Sequence, residues 1–208
     1  MSVLDKLVRA LLTRQQKSRR AAGQRAKAVL RRFPAATGLI GCEVGVYRGE
    51  MSAAMLARNP RLQLVLVDSW EGDGQAYQPQ NSDSKTRMSS GQMEGHYRTT
   101  LAAIGFATDR AEVRRMRSLE AAAAFPDGHF DFVFIDADHS YEGCRSDIAA
   151  WKGKVKPGGW LCGHDYMTKP GRDLGVIRAV DEFCSSHGLA LETDANSTWF
   201  TRLAPRSS

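Results

Sequence analysis

The sequence has no long hydrophobic run. Its apolar stretches, such as Leu64–Val67 and Phe132–Ile135, are far shorter than the ~20 residues that a membrane-spanning helix needs. The first residues also lack the order of a secretory signal, in which positive residues precede an apolar stretch and a small-residue cleavage site. With 208 residues, of which 42% are hydrophobic and 25% charged, the chain has the composition of a soluble globular protein. We expect one domain, or a domain with a short appendage, in the cytoplasm.

Cysteine is scarce. The four cysteines, Cys42, Cys144, Cys162 and Cys184, include no pair with CxxC spacing, and two of them fall within apolar, strand-like runs. A structural zinc site is therefore not expected. We predict four free, buried thiols in a reducing cytoplasm.

Acidic residues are almost missing from the N-terminal segment. Residues 1–35 hold ten Lys or Arg and a single acid, Asp5, which gives this segment a net charge of +9. The whole chain has 29 basic and 23 acidic residues, so the remainder has 19 and 22 and a net charge of −3. Apolar residues from Val3 to Leu12 recur with helical spacing. We predict one or two basic helices over residues 2–33, broken near Gly23 and ending before Pro34.

From residue 38 onward, apolar strand-like runs alternate with helical patterns. This alternation predicts an α/β fold with a doubly wound, mostly parallel sheet, because parallel strands need crossover helices. The last two strands have too few residues between them for a crossover and should pair antiparallel. The predicted strands are Leu39–Val44, Leu64–Val67, Glu112–Met116, Phe130–Ile135, Trp160–Cys162, Leu189–Glu192 and Thr198–Thr201. The predicted helices are Ser52–Arg58, Met93–Ile104, Leu119–Phe125, Tyr141–Trp151 and Val176–His187.

A long polar segment interrupts this alternation. Residues 71–92 are rich in glycine and serine, which predicts a loop of unusual length for a compact domain. We expect this loop to be a lid or a substrate-gripping element.

Two features at the ends of the first two strands indicate a ligand site. The segment 43–49 (Glu-Val-Gly-Val-Tyr-Arg-Gly) carries glycines that let the backbone turn and approach a ligand, although by itself it is also compatible with an ordinary turn. It does not have the GxGxxG spacing of dinucleotide sites. Asp68 ends the second strand and is placed to accept hydrogen bonds from both hydroxyls of a ribose, or else to cap a turn. Trp70 could pack on such a nucleoside or anchor the loop.

Acidic and imidazole groups follow two later strands. Asp136 and His139 come after one strand, and His164 and Asp165 come after the next. Neighbouring parallel strands would bring the four side chains together, where carboxylate oxygens and imidazole nitrogens suit Mg²⁺, Mn²⁺ or a similar ion. The alternative is that the aspartates cap the following helices and that the histidines are neutral spacers.

In this order, the segments resemble the motifs of class I S-adenosylmethionine-dependent methyltransferases, over about residues 37–203. The resemblance implies a Rossmann-like sheet of seven strands, with residues 36–208 as the methyltransferase domain and residues 1–35 as a helical extension. More narrowly, the stretches 136–142 and 163–166 resemble small bacterial enzymes related to catechol-type and antibiotic-sugar O-methyltransferases. The matching segments are 43–49 (first motif), 64–68 (second motif), Asp136 (acid after strand four) and 156–159 (turn before strand five).

The resemblance also implies roles for individual residues. Asp136 would lie beside the sulfonium and bind a metal ion together with His164 and Asp165, and His139 would be a catalytic general base. His164 departs from the pattern, because relatives usually carry a carboxylate or amide oxygen there. The implied cofactor-binding residues are Glu43, Gly45, Tyr47 and Gly49 at the methionine end, Asp68, Ser69 and Trp70 at the ribose, Ser118 near the adenine, and Asp136.

We therefore expect an S-adenosylmethionine-dependent enzyme that methylates a hydroxyl of a small molecule, such as a sugar or another natural-product-like acceptor, with Mg²⁺ or another divalent cation as a candidate second cofactor. One alternative is a nucleic-acid methyltransferase that uses the basic arm, but the position after strand four lacks the Asn/Asp-Pro-Pro-aromatic stretch of such enzymes. Another is a non-catalytic protein whose residues 1–35 dock to a membrane or partner. A further alternative is an NAD-linked oxidoreductase, but the sequence lacks the fingerprint glycines of such enzymes. We expect a homodimer.

Overall fold

The computed structural model describes residues 3–35, 37–72, 88–168 and 175–205, and the side chains of this part except residues 3–12 and 14. The predicted loop 71–92 lies largely outside these residues, and the side chains of the apolar stripe between Val3 and Leu12 lie outside the described part. The membrane and homodimer predictions that depend on that stripe stay predictions. Within the described residues, no helix is both long enough and apolar enough to cross a membrane.

In the described residues, six α-helices and seven strands follow one another, alternating up to the final pair of strands. The helices are α1 (Val3–Leu30), α2 (Glu50–Arg58), α3 (Ser90–Ile104), α4 (Ser118–Ala123), α5 (Tyr141–Trp151) and α6 (Val176–Ser186). The strands are β1 (Leu39–Val44), β2 (Leu62–Asp68), β3 (Ala111–Arg115), β4 (Phe130–Ile135), β5 (Val155–Gly163), β6 (Leu191–Asp194) and β7 (Thr198–Arg202). Short 3₁₀ turns follow α3 and α5, at Gly105–Ala107 and Lys152–Lys154.

The strands form one sheet in the order β3-β2-β1-β4-β5-β7-β6. The first five strands are parallel to one another, and β7 pairs antiparallel with both β5 and β6. This confirms the predicted seven-stranded, doubly wound architecture with an antiparallel C-terminal pair. The order reverses between β1 and β4, and a crevice at such a switch point is where α/β sheets bind ligands.

Alternate residues of the central strands face two separate cores. Val133 of β4 points to the side covered by α4, α5 and α6, where Trp151 and Val180 are fully buried. Phe132 of the same strand points to the opposite side, where it belongs to the same buried cluster as Ala26 of α1 and its ring lies 5.8 Å from that of Phe33. This period-two alternation explains why the β4 sequence is apolar throughout: both faces of the strand are covered. All four cysteines are free and buried, as predicted.

Helix α1 differs from the prediction. It continues through Gly23 without a break, although glycine costs about 1 kcal/mol in a helix interior. Tertiary packing outweighs this cost, because Ala22 and Ala26 are fully buried. Glycine also permits a close approach to α2, since a Cβ at Gly23 would lie 3.1 Å from Nη2 of Arg58. The second half of α1 thus belongs to the core.

Several element boundaries also differ from the prediction. Helix α3 begins at Ser90, three residues earlier than predicted, because Ser89 and Gln92 form a reciprocal capping box. Strand β5 begins at Val155, so the predicted turn 156–159 lies inside the strand, opposite an irregular register in β4. Strand β6 lies two residues later than predicted, at Leu191–Asp194.

Arg32, just after α1, connects this helix to the last two strands of the sheet. Its guanidinium donates hydrogen bonds of 3.0 Å to Glu192 and to Asp194 of β6. It also lies over the ring of Phe200 in β7, 3.3 Å from the ring centroid. These contacts fix the C-terminal end of α1 against the antiparallel edge of the sheet.

Candidate active site

The loop after β1 reaches across to the end of β4. The backbone of Gly45 has φ +89°, and a Cβ at this position would lie 2.1 Å from the carbonyl oxygen of Asp136. Only glycine fits here, because both the backbone conformation and the space exclude a side chain. The glycine of the first motif therefore brings β1 and β4 into contact at the switch point.

Tyr47 is held in a left-handed conformation, with φ +57°. Its backbone N–H donates to Oδ2 of Asp68 at 2.8 Å, and its carbonyl accepts from Nε1 of Trp70 at 2.8 Å and from Oγ1 of Thr100 at 3.2 Å. Its ring lies against His96, with centroids 4.4 Å apart. This backbone conformation is unfavourable for tyrosine, and these contacts together hold it in place.

Asp68, at the end of β2, accepts two backbone hydrogen bonds, from Tyr47 to Oδ2 and from Trp70 to Oδ1, each at 2.8 Å. A carboxylate has about four acceptor positions, so capacity for ribose hydroxyls remains. The Ser69 hydroxyl accepts from the Glu71 N–H at 3.3 Å. The Trp70 side chain is buried and packs on Tyr97. In this structure Trp70 thus anchors the loop around Tyr47.

Glu43, in β1, is a carboxyl group inside the protein. It is only 3% exposed and accepts a 2.5 Å hydrogen bond from the Ser52 hydroxyl. Burial raises the pKa of Glu43 to about 8, an effect that the Ser52 hydrogen bond opposes and the nearby Asp136 reinforces. The side chain is therefore largely protonated near neutral pH.

The four predicted groups at the ends of β4 and β5 converge. Nε2 of His139 lies 3.1 Å from Oδ1 of Asp136 and 3.1 Å from Oδ2 of Asp165. Nδ1 of His164 lies 3.5 Å and 3.4 Å from the same two oxygens. Two carboxylate oxygens and two imidazole nitrogens thus alternate around a common centre, as predicted from the parallel strands.

Asp136, His139 and Asp165 form a group whose ligand atoms all lie within 4.8 Å of one another. The predicted metal set contained His164 instead, with His139 as the base. The His164 side chain is the more accessible imidazole, 18% exposed against 9% for His139. On geometry, the two histidines therefore suit exchanged roles.

The aspartates and histidines of this cluster favour each other's charged forms. Burial alone would lower the pKa of His164, but its hydrogen bonds to Asp136 and Asp165 outweigh burial and raise it. Burial alone would raise the pKa of Asp165, but the two neighbouring imidazoles outweigh burial and hold it well below its ordinary value. A positive charge in this cluster is thus stabilised by the carboxylates.

Ser118, predicted to lie near the adenine, begins α4 and is held by α5. Its hydroxyl donates to Asp147 at 2.5 Å and accepts from Nε1 of Trp151 at 2.9 Å. Burial raises the pKa of Asp147 to about 6. The Asp147 side chain is buried, and it faces the start of α4 through the hydrogen bond from Ser118.

The sequence reasoning missed two arginines beside this edge of the sheet. Arg25 of α1 and Arg48 of the β1–α2 loop are half-buried, and within the described residues the Nε atom of each has no hydrogen-bond partner. Arg48 contributes, after burial, to the lowered pKa of His96. Arg25 had been counted only as part of a basic arm, since no local pattern marks an arginine that turns inward.

Comparisons with known proteins agree with this architecture. A family model described as a methyltransferase domain matches residues 42–166. Among solved structures, a Corynebacterium glutamicum protein superposes with a TM-score of 0.60 at 13% identity, covering 90% of this chain and 82% of its own. The O-methyltransferase NovP has a TM-score of 0.58 at 17% identity, with 92% and 79% covered.

A third similar structure is an O-methyltransferase from Bacillus cereus in complex with S-adenosylhomocysteine. It has a TM-score of 0.52 at 14% identity, with 79% of this chain and 73% of its own covered. A search of curated protein sequences finds no match.

Proposed function

The chain belongs to the methyltransferase-domain family, and from that premise we propose that it transfers a methyl group from S-adenosylmethionine to a hydroxyl of a small-molecule acceptor, such as a sugar or another natural-product-like compound. The observation that carries this proposal is the cluster of Asp136, His139, His164 and Asp165 at the switch point. A hydroxyl is a weak nucleophile at neutral pH, so its methylation needs a group that takes its proton.

The donor set of the cluster fits a divalent cation. Asp136, His139 and Asp165 offer two oxygens and one nitrogen at a single centre, and two of the three side chains are buried. Carboxylate and imidazole ligands suit Mn²⁺ and similar ions better than Mg²⁺, which prefers oxygen alone. When bound, such an ion lowers the pKa of the acceptor hydroxyl.

The residues of the chain have the following roles in this proposal. The loop 43–49 and Asp68 hold the cofactor, and the cofactor supplies an activated methyl carbon on its sulfonium. The acceptor oxygen forms the new bond to this carbon as the carbon–sulfur bond breaks, and the hydroxyl proton passes to the more exposed imidazole, His164. Holding donor and acceptor in line lowers the barrier by about 7–11 kcal/mol in well-oriented systems.

The test is methyl transfer from labelled S-adenosylmethionine to panels of sugar and phenolic hydroxyls, with the product bond identified by mass spectrometry. We expect a methyl ether, and a loss of at least about 100-fold in turnover for Asp165→Asn with the dissociation constant of S-adenosylhomocysteine within threefold. Asp109→Asn, which changes an exposed aspartate, is the matched control. Methylation of nitrogen or carbon, or an unimpaired Asp165→Asn variant, would contradict the proposal.

The metal assignment has its own readout. Protein prepared without chelator is analysed for bound Mn²⁺ after dialysis, together with His139→Ala and His164→Ala. We expect His139→Ala to lose the ion and His164→Ala to keep it. The reverse result would support the roles predicted from the sequence. An ion-free wild type that is fully active in EDTA would show that the reaction needs no metal ion.

A further inference from the structure

Helix α3 lies against the loop that follows β1, and Thr100 is the residue of α3 that meets this loop most directly. Its buried hydroxyl lies within hydrogen-bond distance of two carbonyl oxygens, that of Tyr47 at 3.2 Å and that of His96, one turn earlier in α3, at 3.1 Å. A Cβ at Gly49 would lie 2.9 Å from Cγ2 of Thr100. Thr100 thus faces the loop 43–49 with both its hydroxyl and its methyl group.

Two more side chains of α3 contact the same part of the loop. The His96 ring lies against the ring of Tyr47, with centroids 4.4 Å apart. The Tyr97 ring lies 4.9 Å from that of Trp70, whose indole N–H donates to the Tyr47 carbonyl. Positions 96, 97 and 100 share one face of α3, because residues three or four apart are neighbours on a helix surface. One face of α3 therefore supports the loop around Tyr47.

The backbone of Tyr47 depends on such support. Its left-handed conformation, with φ +57°, is unfavourable for a residue with a side chain and persists only where the surroundings hold it. The N–H of Tyr47 also donates to Oδ2 of Asp68 at 2.8 Å. A contact that fixes the Tyr47 carbonyl therefore also fixes the N–H that orients the Asp68 carboxylate.

We propose that Thr100 is a positioning residue for the cofactor. Its hydroxyl holds the Tyr47 carbonyl, and through Tyr47 it sets the shape of the loop 43–49 and the orientation of Asp68. This inference rests on the proposed function, in which that loop and Asp68 hold S-adenosylmethionine.

The neighbouring Thr99 supplies a matched control. It is exposed, and its hydroxyl donates to the carbonyl of Gly95 at 2.8 Å, four residues earlier in α3. Replacing either threonine with valine removes a hydroxyl from the same helix and changes helix propensity equally. The difference between the two variants therefore isolates the contact with the loop.

The test uses full-length protein and two measurements that need no turnover. Hydrogen–deuterium exchange of ligand-free protein reports the stability of the peptide that contains Tyr47, and calorimetry gives the dissociation constant of S-adenosylhomocysteine. Both are measured at a temperature at which every variant is folded. The variants are Thr100→Val, Thr100→Ala, Thr100→Ser and Thr99→Val. Thr100→Ala is a second hydroxyl-free variant, which does not place a methyl group beside the His96 carbonyl.

We expect Thr100→Val and Thr100→Ala to exchange about three- to tenfold faster at this peptide, and to bind S-adenosylhomocysteine about three- to tenfold more weakly, because one hydrogen bond of the loop is lost. Thr100→Ser keeps the hydroxyl and should stay within about twofold of the wild type in both measurements. Thr99→Val should do the same.

Three results would overturn the inference. Unchanged exchange or unchanged affinity in both hydroxyl-free variants would show that Thr100 does not position the loop. An equal effect of Thr99→Val would assign the change to helix propensity, and a Thr100→Ser variant as impaired as Thr100→Val would assign it to the methyl group. A wild type that binds no S-adenosylhomocysteine would instead refute the proposed cofactor. Faster exchange in Thr100→Val would then still show that Thr100 holds the loop.

Discussion

Replacing Glu43 with glutamine removes a carboxyl group that the folded protein holds in its neutral form. The difference between an ordinary glutamate pKa of 4.5 and a pKa of about 8 is worth about 5 kcal/mol. The folded state binds the Glu43 proton more tightly than the unfolded state does. The contribution of Glu43 to the free energy of unfolding is therefore most favourable at low pH, and it falls as the pH rises from about 4.5 to 8. Between pH 5 and pH 9, this one group lowers the free energy of unfolding by about 4 kcal/mol.

The assay is urea denaturation of wild type and Glu43→Gln at pH 5, 7 and 9. At pH 5 the two proteins should have similar stability, since glutamine also accepts the Ser52 hydrogen bond. At pH 9 the variant should be more stable by about 4 kcal/mol. The titration of Asp147 is common to both proteins and cancels in the difference.

Glu120→Gln, at an exposed glutamate of α4, is the matched control and should leave the pH profile unchanged. A difference between wild type and Glu43→Gln that stays below about 1 kcal/mol from pH 5 to pH 9 would refute the reasoning. It would show that the Glu43 charge is compensated inside the protein, and Arg25, whose charge lowers the pKa of Glu43, is the cation to examine.

Two further predictions concern groups around the site. Trp70→Phe keeps a ring against Tyr97 but loses the indole hydrogen bond to the Tyr47 carbonyl, which still accepts from Thr100. We expect the free energy of unfolding to fall by about 1 kcal/mol. We also expect calorimetry to show five- to tenfold weaker binding of S-adenosylhomocysteine. Unchanged affinity would mean that the hydrogen bond from Trp70 to the Tyr47 carbonyl does not shape the loop 43–49 for cofactor binding. Asp147→Asn removes a buried acid with a pKa of about 6, so thermal unfolding at pH 7.5 should show stabilisation of up to about 3 kcal/mol that disappears near pH 4. An equal shift at both pH values would contradict the raised pKa.

The sheet and the convergence of the aspartates and histidines at its edge could be predicted from the sequence for one physical reason. Parallel strands buried on both faces appear as continuous apolar runs, and the residues that follow them must emerge at the same edge. Asp136 and Asp165 could therefore be placed together although 29 positions separate them along the chain.

What the sequence could not supply depends on tertiary packing. The continuity of α1 through Gly23 reflects a close approach to Arg58 that no local pattern announces. Asp147 is buried because α4 covers it, and the inward position of Arg25 depends on how α1 crosses the sheet. The start of α3 differs in kind, since Ser89 and Gln92 have the spacing of a capping box and could have been recognised.

The bond between Arg32 and the β6–β7 pair has a consequence for how the protein is made. The inner side of α1 is synthesised well before part of the surface that covers it, including Phe200. At 5–20 residues per second, about 8–34 s separate the synthesis of Arg32 from that of Phe200, and during this time the alanine-rich side of α1 has no finished core to join. This part of the fold is thus completed only after β7 has been made, and nascent chains halted before β7 are the species that chaperones would need to shield.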